Sequence, residues 1–205
     1  PSSNEDSYNT AVGYNALVSD TTGKENTAVG AYALQSNSTG QYNTALGYNA
    51  LKNNTANENI AIGHKALEAN TTGSANVAIG YVALDANTTS SNNTAIGHAV
   101  LSANTGNTNT GVGAYALNAN STANNNTAVG YYALAAQTTG GANTALGYKA
   151  LEAGTTGEQN TAIGVYALDE LNGNTHYNTA VGYSAGDDVT TGDGNTLVGR
   201  RAGHN

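Results

Sequence analysis

One short repeat runs through this sequence twelve times, and a repeat of this length constrains the fold more than any other feature. Each copy carries an Asn that we number position 1, and successive copies of this Asn are 16 to 18 residues apart. Position 5 is Gly in all twelve copies. We predict that both sets form structural ladders with one member per repeat. The position-1 residues are Asn9, Asn26, Asn43, Asn59, Asn76, Asn93, Asn109, Asn126, Asn143, Asn160, Asn178 and Asn195. The position-5 residues are Gly13, Gly30, Gly47, Gly63, Gly80, Gly97, Gly113, Gly130, Gly147, Gly164, Gly182 and Gly199.

The first nine positions follow the pattern Asn-Thr-Ala-[Val/Ile/Leu]-Gly-Tyr-x-Ala-Leu. Asn, Thr and Gly disfavour a helix, and the chain has no apolar heptads that would indicate a coiled coil. The pattern instead predicts two short strands per repeat, joined at the Gly. The fold class is therefore predicted to be all-β, a parallel β-solenoid of twelve coils of about 17 residues. All changes in repeat length fall after position 9, which predicts a surface loop there.

The strand pattern also predicts association with other chains. Alternate side chains of a strand face opposite ways, so the Ala at position 3 and the Val, Ile or Leu at position 4 point to opposite faces. A strand that is apolar on both faces is typical of one that is buried on both faces. A thin coil has only one interior, so we expect a homo-oligomer, with a parallel trimer favoured.

Composition excludes several classes of function. The net charge is -8, with six Lys and Arg against 14 acidic residues, so we expect no nucleic-acid partner. No apolar stretch is long enough for a membrane span, so membrane insertion is not expected either. The sequence has no Cys and no catalytic or phosphate-binding motif. We therefore predict a non-enzyme with no catalytic residues, no cofactor and no metal.

Tyr recurs at position 6, which predicts a surface for binding a sugar or a protein. These candidate binding residues are Tyr14, Tyr48, Tyr81, Tyr131, Tyr148 and Tyr183. Tyr moves to position 7 in some repeats, as at Tyr32, and this shift points rings to different sides and argues against one continuous stripe. The alternative is that the rings only cover the edge of the coil.

Other polar groups offer weaker candidates for a site. His64 and His98 occupy position 6 two coils apart, about 10 Å by the strand spacing, which is too far to share a metal ion. Asp187, Asp188 and Asp193 cluster near the end of the chain and carry oxygen ligands suited to Ca²⁺, but they lack a recurring calcium motif. His204 has no partner at ligand spacing along the sequence.

The block Asn-Thr-Ala-[Val/Ile/Leu]-Gly, with Ala three residues after the Gly, resembles the head repeats of YadA-like trimeric autotransporter adhesins. Residues 9–13, 26–30, 93–97 and 160–164 carry the resemblance most clearly. Similar repeats occur in bacteriophage tail fibres. The resemblance implies a left-handed β-roll, three of which pack side by side, at an extracellular, cell-surface or virion location. It also implies attachment to a host surface, through a glycan or a protein receptor. The coil here is about three residues longer than the adhesin repeat, and residues 1–205 include no pattern of a coiled-coil stalk or membrane anchor.

We predict an N-terminal lead-in at residues 1–8 and a single β-roll domain at residues 9–205. The predicted function is a structural or adhesive fibre segment, a rigid trimeric rod. One alternative is a subunit of a head-to-tail extracellular filament. A less favoured alternative is an ice-binding solenoid, in which the position-2 Thr ladder forms an exposed array; Ile60 and Val77 interrupt that ladder.

Overall fold

The computed structural model describes residues 7–204, which contain twelve short strands and no helix. Each strand covers positions 2 to 4 of one repeat. The strands are β1 (Thr10–Val12), β2 (Thr27–Val29), β3 (Thr44–Leu46), β4 (Ile60–Ile62), β5 (Val77–Ile79), β6 (Thr94–Ile96), β7 (Thr110–Val112), β8 (Thr127–Val129), β9 (Thr144–Leu146), β10 (Thr161–Ile163), β11 (Thr179–Val181) and β12 (Thr196–Val198). The predicted parallel β-solenoid with one coil per repeat is confirmed.

The described chain divides into two compact units, Pro1–Thr105 and Gly106–Asn205. The first unit holds β1 to β6 and the second holds β7 to β12. Within each unit, every strand pairs in parallel with the strand of the next repeat. A single domain over residues 9–205 stays a prediction. Residues 1–6 of the predicted lead-in, and Asn205, lie outside the described residues.

Equal positions of successive repeats lie beside each other in the sheet. In the pair β2–β3, for example, Ala28 pairs with Ala45 and Val29 pairs with Leu46. A repeated sequence therefore becomes a set of side-chain columns that run from coil to coil. A column at a repeated position, such as position 8, therefore has the same polarity and size of side chain in nearly every coil of a unit.

The prediction of a second strand in each repeat is wrong. Positions 5 to 9 form a turn, because the residues at positions 5, 7 and 9 have positive φ values. In the second repeat, Gly30 has a φ of 132°, while Tyr32 and Leu34 have φ values of 62° and 50°. Leu at position 9 has a φ of 50–53° in all ten repeats that carry it. A strand cannot continue through such residues.

Gly30 shows why position 5 never varies. Its φ lies in a region that residues with a Cβ atom rarely adopt. A Cβ atom added there would also lie 2.5 Å from the carbonyl oxygen of Gly47 in the next coil. Both the conformation and the close approach of two backbones therefore require Gly.

The core is narrow and built from small residues. The position-3 Ala residues, the position-8 Ala residues and the position-9 Leu residues fill it, and Ala78, Ala83 and Leu84 are completely buried in one coil. The side chains beside Ala78 in the strand, at positions 2 and 4, point outward. The middle residue is buried in β2 to β11, whereas the two flanking residues are at least partly exposed in all twelve strands.

The stretch after position 9 is only partly the surface loop that the length changes predicted. Its position 12 carries a second column of amide side chains, each at most 1% exposed. These residues are Asn37, Asn54, Asn70, Asn87, Asn104, Asn120 and Gln137. The Thr or Ser after them is at the surface, and in several coils its hydroxyl donates to the next coil, as Thr71 Oγ1 does to the carbonyl of Thr88 at 2.9 Å. The loop is thus hydrogen-bonded between coils in the same way as the strand.

Candidate functional site

The position-1 Asn residues form the structural ladder that the sequence predicted. The side-chain oxygen of Asn26 accepts hydrogen bonds from the backbone N–H of Asn43 at 3.0 Å and from its Nδ2 at 3.1 Å. Asn43 Nδ2 also donates to the carbonyl of Ala56 at the end of its own coil, at 2.8 Å. One amide therefore closes its own coil and joins it to the preceding one. Since Asn43 is fully buried, each of these bonds is shielded from water.

The second amide column meets the first at one backbone carbonyl. Asn26 Nδ2 and Asn37 Nδ2 both donate to the carbonyl of Gly40, at 2.8 and 3.1 Å. The position-12 column was not predicted from the sequence because it lies in the segment with variable length. The recurrence of an Asn before Thr in the loops, as at Asn70 and Asn87, is the signal that points to it.

The outward residues of the strands form a regular surface, which we call the strand face: positions 2 and 4 of every repeat. Position 2 contains only Thr, Ile or Val, and position 4 only Val, Ile or Leu. No charged residue interrupts it. Leu46 and Leu146 are each 46% exposed and Ile96 is 38% exposed. A regular, uncharged and largely apolar surface of this kind is typical of an interface.

The Tyr residues form a second regular surface, the aromatic column at positions 6 and 7. The six candidate binding residues expose 40–68% of their surface. Contrary to the sequence-based interpretation, the shift of Tyr32 to position 7 does not break the column. The ring centroid of Tyr32 is 5.4 Å from that of Tyr14 and 5.8 Å from that of Tyr48, with the rings nearly perpendicular.

His residues continue this column instead of forming a separate site. His64 stacks between Tyr48 and Tyr81, with centroid distances of 5.3 and 5.2 Å, and His98 stacks on Tyr81 at 5.3 Å. Tyr81 therefore separates the two imidazoles, in keeping with the predicted distance. In the stacked part of the column the faces of the rings contact each other, so only ring edges and polar tips remain for a partner. Binding of a ligand by these Tyr residues stays a prediction.

Acidic side chains line position 10 in the second unit. Burial, together with the negative charges of Asp187, Glu170 and Glu152, raises the pKa of Asp169 to about 6. One carboxyl oxygen of Asp169, Oδ1, is buried and accepts no hydrogen bond. Burial likewise raises the pKa of Asp85 in the first unit. The charged forms of these two carboxyl groups therefore lower the free energy of unfolding.

Asp169→Asn is expected to flatten the pH dependence of stability. The pKa of Asp169 is higher in the folded chain than its usual value of 3.8, so its contribution to stability is complete below that value and is lost as the pH rises through about 6. Between pH 4 and 6.5 we expect the wild type to lose about 1 to 2 kcal/mol relative to the variant, with solvent screening keeping the loss below that of the full shift. Urea unfolding of both proteins at several pH values measures this difference. Parallel pH profiles would contradict the assignment.

Coil stacking rearranges the acidic cluster expected near the end of the chain. His204 lies one coil after Asp187 and Asp188, and its Nδ1 is 3.2 Å from Asp187 Oδ1 and 2.9 Å from Asp188 Oδ2. Asp193 lies elsewhere, where its Oδ1 accepts a hydrogen bond from the backbone N–H of His176 at 2.7 Å. The expectation that His204 has no partner is therefore wrong, because sequence spacing alone does not show contacts between coils.

The fold and these surfaces define the chain as a parallel β-solenoid repeat protein. Comparisons with protein-family models, with curated proteins and with solved structures gave no match. The resemblance to trimeric adhesin heads and phage tail fibres therefore stays a prediction. Among residues 7–204, no helical segment has the length and apolar character of a membrane span.

Proposed function

We propose that this chain is a structural and adhesive fibre segment, a rigid rod that works as a parallel homotrimer outside the cell, on a cell surface or on a virion. The observation that carries the proposal is the strand face. It carries a Val, Ile or Leu at position 4 of every coil, and a single chain leaves these side chains partly exposed. The absence of charge at positions 2 and 4 means that copies of this chain meet there without electrostatic repulsion.

Rigidity follows from the two amide columns and the strand pairing. Every coil is hydrogen-bonded to its neighbour in the same unit through backbone and side-chain groups that water does not reach. Such a structure is suited to a rigid spacer in a fibre that presents an attachment surface. The aromatic column is the surface that we assign to attachment, with a host glycan or a protein receptor as its partner.

Two other functions compete for the same features. A head-to-tail filament would pair β12 of one chain with β1 of the next, since each of these strands has one neighbour among the described residues. An ice-binding plate uses the strand face itself, and the exposure of its Thr residues favours this candidate: Thr27, Thr127 and Thr144 are all exposed. A face that is covered by copies of the chain cannot also bind ice, so one experiment separates these functions.

Leu146→Lys is expected to dissociate the trimer without unfolding the chain. Leu146 lies on the strand face and is 46% exposed in the single chain, so a lysine there is solvated in the monomer. In the trimer the same charge would be buried without a partner at a cost of several kcal/mol. Sedimentation equilibrium is expected to give three times 20.6 kDa for the wild type and 20.6 kDa for the variant. Circular dichroism is expected to be unchanged.

Thr72→Lys is the matched control, because Thr72 is exposed in the loop and away from the strand face. It introduces the same charge and is expected to leave the trimer intact. Equal masses for the wild type and Leu146→Lys would contradict the interface. A monomeric wild type that shows thermal hysteresis would replace the trimer with the ice-binding function.

A further inference from the structure

The last two repeats bring three metal-ligating side chains together at one corner of the second unit. Asp187 and Asp188 follow the turn of the eleventh repeat, and His204 occupies position 10 of the twelfth. The three potential ligand atoms all lie within 4.8 Å of one another. The imidazole Nδ1 lies between the two carboxylates, at 3.2 Å from Asp187 Oδ1 and 2.9 Å from Asp188 Oδ2.

The arrangement depends on the register of the coils. Asp169, Asp187 and His204 occupy position 10 of three successive repeats, so the stacking that aligns every other position also aligns these three. The backbone holds the two later coils together close to this point, since the N–H of Gly186 donates to the carbonyl of Ala202 at 2.8 Å. The ligand atoms are thus supplied by two coils that the fold keeps in contact.

The surroundings carry excess negative charge. Glu152, Asp169 and Asp187 occupy position 10 of three successive repeats, and Glu170 and Asp188 follow two of them in the sequence. A divalent cation at Asp187 and Asp188 would relieve this repulsion.

The chemistry of the ligand set selects the kind of metal. Ca²⁺ and Mg²⁺ prefer sites made of oxygen atoms alone, whereas an imidazole with carboxylates suits Zn²⁺ and its neighbours in the first transition row. Ligand atoms around a tetrahedral Zn²⁺ are about 3.3 Å apart when its bonds are about 2.0 to 2.2 Å long. The two distances from His204 Nδ1 are close to this value, and all three ligand atoms lie within 4.8 Å of one another, so binding requires side-chain movements and no change in the fold.

We infer that Asp187, Asp188 and His204 form a binding site for a first-row divalent transition metal, with Zn²⁺ as the preferred ion and water at the remaining position. The metal clamps the eleventh and twelfth coils together. This inference rests on the coil geometry of the second unit and is independent of the proposed trimer and of any attachment function.

The test is calorimetric titration of the chelator-treated full chain with Zn²⁺. We expect one ion per chain with a dissociation constant on the order of micromolar, and a higher melting temperature in the presence of Zn²⁺. His204→Ala and the nearly isosteric Asp188→Asn are each expected to weaken binding by about tenfold or more, since each removes one of three ligands. Co²⁺ in place of Zn²⁺ reports the geometry through its visible absorption.

His176→Ala is the matched control, because His176 is also in the second unit and lies outside the cluster, where its Nδ1 accepts a hydrogen bond from the backbone N–H of Glu158. Its affinity for Zn²⁺ is expected to equal that of the wild type. No binding by the wild type at millimolar Zn²⁺ would overturn the site. An unchanged affinity in both His204→Ala and Asp188→Asn, with circular dichroism showing folded proteins, would also overturn it.

Discussion

Gly30→Ala is expected to lower the free energy of unfolding by about 3 to 5 kcal/mol, one of the two largest effects that we predict for a single substitution. Two costs add together. The φ of 132° at Gly30 is strained for any residue with a Cβ atom, and the new methyl group would lie 2.5 Å from the carbonyl oxygen of Gly47. Because that oxygen belongs to the backbone of a paired coil, it cannot move aside as the tip of a flexible side chain would. Urea unfolding followed by circular dichroism measures the loss.

Gly173→Ala gives the cost of a milder left-handed conformation in the absence of a close contact. Gly173 also has a positive φ, 71°, but a Cβ atom there would meet nothing within 4 Å. We expect this control to cost only about 1 kcal/mol, the usual cost of a left-handed conformation. If Gly30→Ala and Gly173→Ala cost the same, the close approach of the position-5 backbones is not what excludes side chains.

Asn76→Asp is expected to be equally damaging, although it changes hardly any atom positions. Asn76 is fully buried, and its Nδ2 donates to Asn59 Oδ1 at 3.2 Å and to the carbonyl of Ser90 at 2.9 Å. A carboxylate there would place an oxygen against both of these oxygens and would bury a charge without a partner. Such a change costs about 3 to 5 kcal/mol.

The loss caused by Asn76→Asp is expected to depend on pH. Burial raises the pKa of the new carboxyl above its ordinary value of about 3.9. The protonated group is neutral and donates one hydrogen bond, so the variant regains part of its stability as the pH falls below the folded-state pKa, relative to the wild type. Unfolding curves of both proteins at pH 4 and pH 7 measure this recovery.

Asn57→Asp is the control for the same chemical change at the surface. Asn57 is exposed, and its Oδ1 accepts a hydrogen bond from the backbone N–H of Gln41 at 2.8 Å, a role that a carboxylate keeps. We expect a change in stability within about 0.5 kcal/mol. A small effect of Asn76→Asp, similar to that of Asn57→Asp, would mean that the buried amide ladder does not hold the coils together.

The repeat was sufficient to predict the coil count, the parallel stacking and the ladder of Asn residues, because each coil imposes its own register on the next. It was also sufficient to predict that position 3 and position 4 face opposite ways. The turn at positions 5 to 9 was not predictable from propensity. Leu84 has a φ of 52°, a left-handed conformation that Leu rarely adopts, so its residue type does not predict this turn. Burial of its whole side chain offsets the cost of the strained backbone.

The candidate sites were less predictable because they depend on contacts between coils. The rings of Tyr14 and Tyr32 occupy different positions in their repeats, yet the path of the turn brings them together. His204 is 16 residues from Asp188 along the chain and 2.9 Å away in space. The sequence contained the repeat that creates this proximity, but the loss of Leu at Gly186 and Gly203 made the register of the last two repeats less evident.

The most direct test of the central claim, that the strand face is an interface between three copies of this chain, is the mass of the protein in solution. Sedimentation equilibrium over a wide range of concentration is expected to give a single species of three times 20.6 kDa. A species of 20.6 kDa at the highest concentration would contradict the interface. Masses that keep increasing with concentration would contradict a closed trimer and would support the head-to-tail filament instead.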